Sequence, residues 1–251
     1  RWKRLVRRWI AEGYSRGIRG MTAEEIGTGY ITQIIKRTMV QPSKGATRRT
    51  RRIVFLQVHD LIREIGISKA VEENLVTTLE GSCNINTEGK IRHLAVSSSW
   101  RRDQDAFECA LDLSCLRSLI VFEAWESFFI SDKMSLLRVL DLEDTTGLSD
   151  HHLKHIGKFL HLKYLSLRGC DDIYYLPDSL GNLRQLETLD VRGTRIVKLP
   201  KSIIKLQKLN YLRASRKPTH EDVSYEDVLG FPEVMKNLPC RLCLLTGLFC
   251  L

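Results

Sequence analysis

Leucine recurs at regular intervals through the C-terminal two thirds of the chain, and this regularity leaves few folds open. Six similar strings are centred on leucines 21 to 25 residues apart: Leu94, Leu119, Leu140, Leu165, Leu189 and Leu212. The strings alternate as Leu-x-Leu, which is the period of a β-strand, and Pro177 and Pro200 recur at the same offset. A set of amphipathic helices with leucine at every third position explains neither observation.

The spacing matches the leucine-rich repeat, in which a strand is followed by a small polar residue. Thr145, Cys170 and Thr194 occupy that small polar position. A single repeat cannot bury its apolar side chains, so repeats stack and share one core, with parallel strands on the concave face. The sequence therefore predicts an α/β fold whose main part, residues 91–251, is a leucine-rich-repeat solenoid with a parallel concave sheet.

Residues between the leucines of the predicted strands should point outward in columns along the concave face. The candidate partner-binding residues are Asp141, Ser166, Asp190 and Arg213 in one column, Glu143, Arg168 and Arg192 in a second, and Tyr164 and Tyr211 beside them. Aromatic and arginine side chains on a rigid wall are the usual anchors of protein interfaces. A solvated charged face explains any one of these residues equally well.

The first 80 residues carry helix and strand signals in the order of a winged-helix domain. An apolar helix face is formed by Trp2, Leu5, Val6, Trp9 and Ile10, with Gly13 as its stop. Thr22 and Glu25 form a capping box that opens a second helix, and Asp60 opens a third. We predict strands at 39–40 and 53–58 with a polar loop between them. The chain is thus divided into a partial winged-helix domain at 1–80, a linker at 81–90 and the repeats.

Positive charge is concentrated in the same N-terminal segment. Residues 1–52 hold 14 Lys or Arg against 3 Asp or Glu, whereas the rest of the chain holds 25 against 27. Basic loops of winged helices often contact phosphates, so DNA binding through Arg48, Arg49, Arg51 and Arg52 is one alternative. A lone basic run is a weak motif, and we favour a solvated loop over a nucleic-acid partner.

Composition limits the remaining possibilities. A chain of 251 residues can bury a core without disulfides. The 7 cysteines are odd in number and irregularly spaced, which favours reduced thiols in an intracellular protein. No apolar run approaches the length of a membrane span. Because the chain begins at Arg1 without Met, we expect a piece of a longer polypeptide.

Three strings in the N-terminal segment carry a specific resemblance: Arg-Trp-Ile-Ala-Glu-Gly-Tyr at 8–14, the segment 30–42, and Val-His-Asp-Leu-Ile-Arg-Glu at 58–64. Followed by leucine-rich repeats, they resemble the plant intracellular immune receptors with a nucleotide-binding domain, in particular the coiled-coil subgroup of grasses. The resemblance covers nearly the whole chain. It implies a disease resistance protein of the cytoplasm, with the nucleus as a second location. Its repeats would recognise a pathogen effector or a guarded host protein, and would contact the nucleotide-binding domain to restrain an ADP/ATP switch.

The resemblance also implies roles for His59 and Asp60. The family's motif here is usually Met-His-Asp, and Val58 replaces the Met. By the family's pattern His59 contacts the phosphate of ADP and Asp60 helps hold the resting state, both in a full-length receptor. An ordinary helix N-terminus capped by Asp60 explains the same residues. The sequence has no G-x-x-x-x-G-K-[ST] loop, so we expect the chain alone to take no nucleotide cofactor.

The sequence offers no strong candidate for catalysis or metal binding. His151, His152 and His155 have helical spacing but fall in a return segment, and Cys240 and Cys243 form a lone C-x-x-C without the second pair of a zinc ribbon. No nucleophile is placed beside a base. We therefore expect neither an enzyme nor a metalloprotein. A stand-alone leucine-rich-repeat scaffold is the alternative to a receptor segment.

Overall fold

The computed structural model describes residues 2–43, 55–73, 76–80, 90–97, 99–100, 104–105, 107, 111–216 and 242–243. The chain forms two compact units, Arg1–Val76 and Thr77–Leu251, and each is described by itself. The predicted fold class, helices and strands with a parallel repeat sheet, is confirmed.

The first unit has the element order that the sequence predicts. Its elements are α1 (Trp2–Glu12), α2 (Ala23–Lys36), β1 (Val40–Ser43), β2 (Phe55–Val58) and α3 (Asp60–Glu72). Strands β1 and β2 pair antiparallel, with Val40 opposite Val58. The predicted basic loop, with its arginines at 48–52, lies outside the described residues.

Both helix ends that the sequence marks are confirmed. At the end of α1, Gly13 takes a φ of 92°, and its N–H donates to Ile10 (3.0 Å) while the N–H of Tyr14 donates to Trp9 (2.9 Å). This pair of bonds is a Schellman motif, which needs a residue in the left-handed region and so favours glycine. At the start of α2, the N–H of Glu25 donates to Thr22 Oγ1 (3.2 Å), and the N–H of Thr22 donates to Glu25 Oε2 (2.7 Å).

The buried face of α1 differs from the predicted one. Its buried residues are Val6, Arg7, Ala11 and Glu12, whereas Trp2, Leu5, Trp9 and Ile10 are only partly buried. The physical reason is a close approach of the two helices at Gly27, where an added Cβ would lie 2.8 Å from Val6 Cγ1. Because α2 presents no side chain there, Val6 of the predicted face packs closely against it, whereas the other four residues of that face are only partly buried.

The second unit is built on one eight-stranded sheet with neighbouring strands in sequential order. Its strands are β3 (Val76–Leu79), β4 (His93–Val96), β5 (Ser118–Val121), β6 (Val139–Asp141), β7 (Tyr164–Ser166), β8 (Thr188–Thr194), β9 (Tyr211–Arg216) and β10 (Leu242–Cys243). All pairs from β4 to β10 are parallel. Sequential parallel strands joined by short return segments are the topology of a repeat solenoid.

The repeat register predicted from the leucines is confirmed. Leu94, Leu119, Leu140, Leu165, Leu189 and Leu212 lie opposite one another across successive strand pairs, and none is more than 2% exposed. The return segments contain short 3₁₀ helices, of which Asp178–Asn182 follows Pro177 and Lys201–Lys205 follows Pro200. The core therefore runs continuously from repeat to repeat.

The small polar position after each strand is buried and hydrogen-bonded. Thr145 Oγ1 donates to the carbonyl of Val121 (3.3 Å), and Cys170 Sγ donates to that of Leu142 (3.0 Å), so each ties its own repeat to the one before. Thr194 Oγ1 bonds within its repeat. Burial raises the pKa of the Cys170 thiol to about 12. These side chains thus place their own polar atoms against backbone carbonyls inside the core, where an unpaired polar group would be costly.

Two strands extend the sheet beyond the six predicted strings. Strand β3 joins the sheet although it falls inside the predicted N-terminal segment 1–80, so the structural division lies before the predicted linker at 81–90. Strand β10 pairs with β9 and adds a further repeat strand. Residues 81–89, 217–241 and 244–251 lie outside the described part of the chain.

Among the described residues, no helix is both long and apolar enough to cross a membrane.

Candidate functional site

The first column of candidate residues lies in one row across four strands. Asp141 of β6 pairs with Ser166 of β7, Ser166 with Asp190 of β8, and Asp190 with Arg213 of β9. Neighbouring strands of a sheet lie about 4.8 Å apart. The repeat register therefore brings these four residues, which are up to 72 positions apart in the sequence, into direct succession. We call them the polar row.

The polar row is much less exposed than the sequence suggested. Asp141 and Ser166 are 0% exposed and Asp190 is 6% exposed, so three of the four positions in the row are shielded from solvent. The row is an ordered polar layer held within the concave face.

The second column contains an ion pair that spans two repeats. Arg168 Nη1 lies 2.6 Å from Glu143 Oε1, and the two side chains are 21% and 8% exposed. Because both are largely shielded from water, their attraction is screened less than that of an ordinary surface pair. The pair fixes the position of both charges on the concave face.

Asp190 contacts the arginines of β8 and β9. It accepts two hydrogen bonds from Arg192, Nε to Oδ1 at 2.8 Å and Nη2 to Oδ2 at 2.5 Å, and Arg213 Nη1 lies 3.9 Å from the same Oδ2. Burial lowers the pKa of Arg192, but its hydrogen bonds to Asp190 and the charge of Glu143 outweigh that effect and raise the pKa above its usual value. The site thus presents permanently charged guanidinium groups in fixed orientations.

The two tyrosines of the candidate set differ in their surroundings. Tyr164 is 2% exposed, whereas Tyr211 is partly exposed. Tyr164 therefore belongs to the packed layer, and Tyr211 is the more accessible of the two to an incoming partner.

Three exposed aromatic residues of the repeats were not among the predicted site residues. Phe122, 47% exposed, occupies in the preceding repeat the position of Glu143, so extending the second column by one strand would have found it. Tyr174 and Tyr175 are 38% and 63% exposed. Arg195 donates to the Tyr174 hydroxyl at 2.6 Å and lies over its ring. No sequence signal separates these two tyrosines from core positions.

His59 and Asp60 lie at the junction of β2 and α3. Both are exposed; the N–H of His59 donates to Met39 (3.2 Å), and its carbonyl accepts from Arg63 (2.9 Å). An exposed imidazole and the N–H groups that open a helix are donors that suit a phosphate oxygen. The residues present therefore fit a contact to a nucleotide phosphate, while the sequence lacks the glycine-rich loop that would cradle it.

The histidine cluster of the return segment is held by local hydrogen bonds. The rings of His151 and His152 lie 3.8 Å apart, and Ser149 bonds to both, at 2.8 and 3.1 Å. Burial, with the charge of His151, lowers the pKa of His152. In the described part of the chain, no three His, Cys, Asp or Glu side chains are grouped so that they could hold a metal.

Two family models match the chain. The Disease resistance protein Winged helix domain matches residues 1–65, and the Leucine-rich repeat region matches residues 115–240. The second match alone covers half of the chain, and together the two reproduce the order of the two units.

Known relatives agree with both models. Disease resistance protein Pik-2 of rice is 36% identical over 87% of this chain, and disease resistance protein RGA4 of rice is 33% identical over 84%. A probable disease resistance RPP8-like protein 2 of Arabidopsis thaliana is 31% identical over 85%. The chain spans only 21%, 20% and 24% of these relatives. The chain belongs to the leucine-rich-repeat disease resistance proteins of plants, in which a winged helix precedes the repeats.

Proposed function

We propose that this chain is the winged-helix and repeat segment of a plant defence receptor, and that its repeats recognise a pathogen effector or a host protein. The observation that carries the proposal is the concave face, where charged side chains on or directly after β6 to β9 form two groups of ion pairs. Rigid surfaces with fixed arginines and partly exposed aromatic residues suit protein recognition. The chain would act by binding, without catalysis, in the cytoplasm and with access to the nucleus.

The contacts within this surface support recognition by shape and charge together. The Glu143–Arg168 pair joins the segment after β6 to the segment after β7, and Asp190 holds Arg192 and faces Arg213. Such pre-arranged charges lose little side-chain freedom when a partner binds. A partner with matching charges would gain specificity, and a partner with like charges would be rejected.

The N-terminal unit would relay the state of the receptor. In a full-length receptor His59 would contact a phosphate of ADP and Asp60 would help hold the resting state. The repeats would also contact the nucleotide-binding domain there and restrain the switch. Partner binding would then shift the population from the resting to the active state, because the partner has different affinities for the two.

The proposal is tested with a full-length receptor gene that contains this segment, expressed in leaves with its matching elicitor. Arg192→Ala should abolish elicitor-dependent cell death at unchanged protein level, because it removes the bidentate bonds to Asp190 and a fixed charge from the concave face. Lys201→Ala, at an exposed site in a return segment, is the matched control and should respond normally. A normal response of the Arg192 variant would contradict the proposal.

A second variant tests whether Asp60 helps hold the receptor in its resting state. Asp60→Val in the same full-length receptor should cause cell death without elicitor, since the resting state would be weakened. Cell death that still requires elicitor would count against a role of Asp60 in the resting state.

A further inference from the structure

Four turns of the repeat unit form a second surface, separate from the concave face. They precede β6, β7, β8 and β9, and because parallel strands begin at the same edge of a sheet, the turns line that edge. We call this surface the amino-edge face, and it comprises residues 132–136, 157–161, 181–185 and 204–208.

Contacts between successive turns show that the amino-edge face is continuous. Lys158 Nζ lies 2.8 Å from Asp132 of the preceding turn. Arg184 Nη1 donates to the carbonyl of Lys205 (3.3 Å), and Lys208 Nζ donates to Gln185 Oε1 (2.5 Å). The 3₁₀ helices Ile156–Lys158 and Asp178–Asn182, which include parts of the second and third turns, also pack against each other. Each turn therefore touches the next, and their exposed side chains form one surface.

The amino-edge face carries a net positive charge, although residues 53–251 as a whole do not. It carries the exposed basic residues Lys133, Lys158, Arg184, Lys205 and Lys208. Asp132 is its single acidic residue. Residues 53–251 as a whole hold 25 basic and 27 acidic residues, so the positive charge here is a local concentration.

Aliphatic side chains stand exposed among these charges. Leu136 is 39% exposed, Leu160 58% and Ile204 46%. They lie in three of the four turns, and the aromatic residue of the face, Phe159, is buried. Protein interfaces are depleted in lysine and anchored by aromatic residues. Exposed lysines interleaved with aliphatic residues are instead typical of surfaces that lie on anionic lipid.

We propose that the amino-edge face binds peripherally to an anionic lipid surface. The basic side chains would reach the lipid phosphates with their charged ends, and Leu160 and Ile204 would enter the boundary between headgroups and acyl chains. The concave face lies along the strands themselves, so this binding leaves it open to a protein partner. The proposal does not depend on the function proposed above.

Lysine acetylation of the 251-residue chain, followed by mass spectrometry, tests the proposal. The probes are vesicles of phosphatidylcholine alone and vesicles in which one third is phosphatidylserine. Phosphatidylserine vesicles, at about ten times the concentration of half-maximal binding, should slow acetylation of Lys158, Lys205 and Lys208 about tenfold. The matched controls, Lys198 and Lys201, are exposed outside this face and should change by less than about twofold.

The acetylation rate is measured for each lysine separately, because the basic residues 1–52 could also bind the vesicles. Vesicle binding by that segment alone would protect the amino-edge lysines no more than the control lysines. Equal protection of both sets, or equal protection by phosphatidylcholine alone, would overturn the proposal.

A second comparison separates lipid from an acidic protein surface. The double variant Leu160→Ser/Ile204→Ser should lose about tenfold or more in vesicle affinity, because it removes the apolar groups that would leave water. Val197→Ser, which changes a residue that is 43% exposed outside the face, should bind as the unchanged chain does. Two results together would identify a site for acidic polypeptides and overturn the proposal. Soluble polyglutamate would protect the same lysines from acetylation, and the double variant would bind vesicles with unchanged affinity.

Discussion

Replacement of Gly157 by alanine probes the stacking of repeats with a single methyl group. A Cβ at Gly157 would lie 2.4 Å from the carbonyl oxygen of Ser179 and 2.8 Å from its Cβ. Ser179 belongs to the 3₁₀ helix Asp178–Asn182 of the next repeat. Ordinary Cβ contacts lie at 3.4–4 Å, so the two backbones would have to separate by about 1 Å.

The expected loss of stability follows from two opposing effects. Overpacking a well-packed interior costs about 1–3 kcal/mol. Gly157 does not have a positive φ, so alanine also removes conformational freedom from the unfolded chain and returns about 0.4–1 kcal/mol. The net expectation is a loss of about 1–2 kcal/mol in the stability of the contact between these repeats.

Hydrogen exchange measured by mass spectrometry reads this loss locally. A loss of about 1–2 kcal/mol raises the open population about 5- to 30-fold, and amides of β7 and β8 should exchange faster by that factor. Gly29→Ala is the matched control, because no atom lies within 4 Å of its added Cβ; in the middle of α2 it should stabilise by about 1 kcal/mol. Exchange in β7 and β8 that is unchanged by Gly157→Ala would refute the packing described here.

Three further predictions concern two single side chains and one ion pair. Burial raises the pKa of Cys170 to about 12, so at about pH 8 iodoacetamide should modify the partly exposed Cys115 well before Cys170; equal rates in the folded chain would contradict this. Burial lowers the pKa of His152, so the neutral ring stabilises the fold above the unfolded-state pKa of about 6.5, and this stabilisation is lost as the pH falls. The free energy of unfolding in urea should therefore change less between about pH 7 and pH 5 for His152→Asn than for the unchanged chain, and an equal change in both would refute this prediction. A double-mutant cycle of Glu143→Ala and Arg168→Ala should give a coupling of about 1 kcal/mol that weakens in high salt, whereas strict additivity would show that the pair is not formed.

The repeat architecture could be predicted because the leucines carry both strand period and repeat length. Leu140 and Leu165 are buried and paired where the pattern placed them. The outermost strands were not predicted: β3 reads Val-Thr-Thr-Leu, which lacks the repeated string. An edge strand that lacks the repeat's sequence pattern is specified mainly by its stacking against the neighbouring repeat. The amino-acid sequence of the strand itself does not contain that information.

The alignment of the candidate residues across the strands could be predicted, but their burial could not. The register placed Asp141, Ser166 and Asp190 in one row, as expected. The strands beside each of these residues come from repeats more than 20 positions away in the sequence, and no local pattern encodes the resulting burial. The same limit applies to α1, whose buried side was set by a glycine on another helix.

A charge swap on the concave face is the measurement that tests the central claim most directly. Glu143→Arg combined with Arg168→Glu keeps an ion pair between the two repeats, where the present side chains lie 2.6 Å apart, but exchanges the two charges that a partner meets. In a full-length receptor containing this segment, we expect normal protein level and loss of elicitor-dependent cell death, because like charges then face those of the partner. Full elicitor-dependent cell death from the swapped receptor would contradict recognition through this surface.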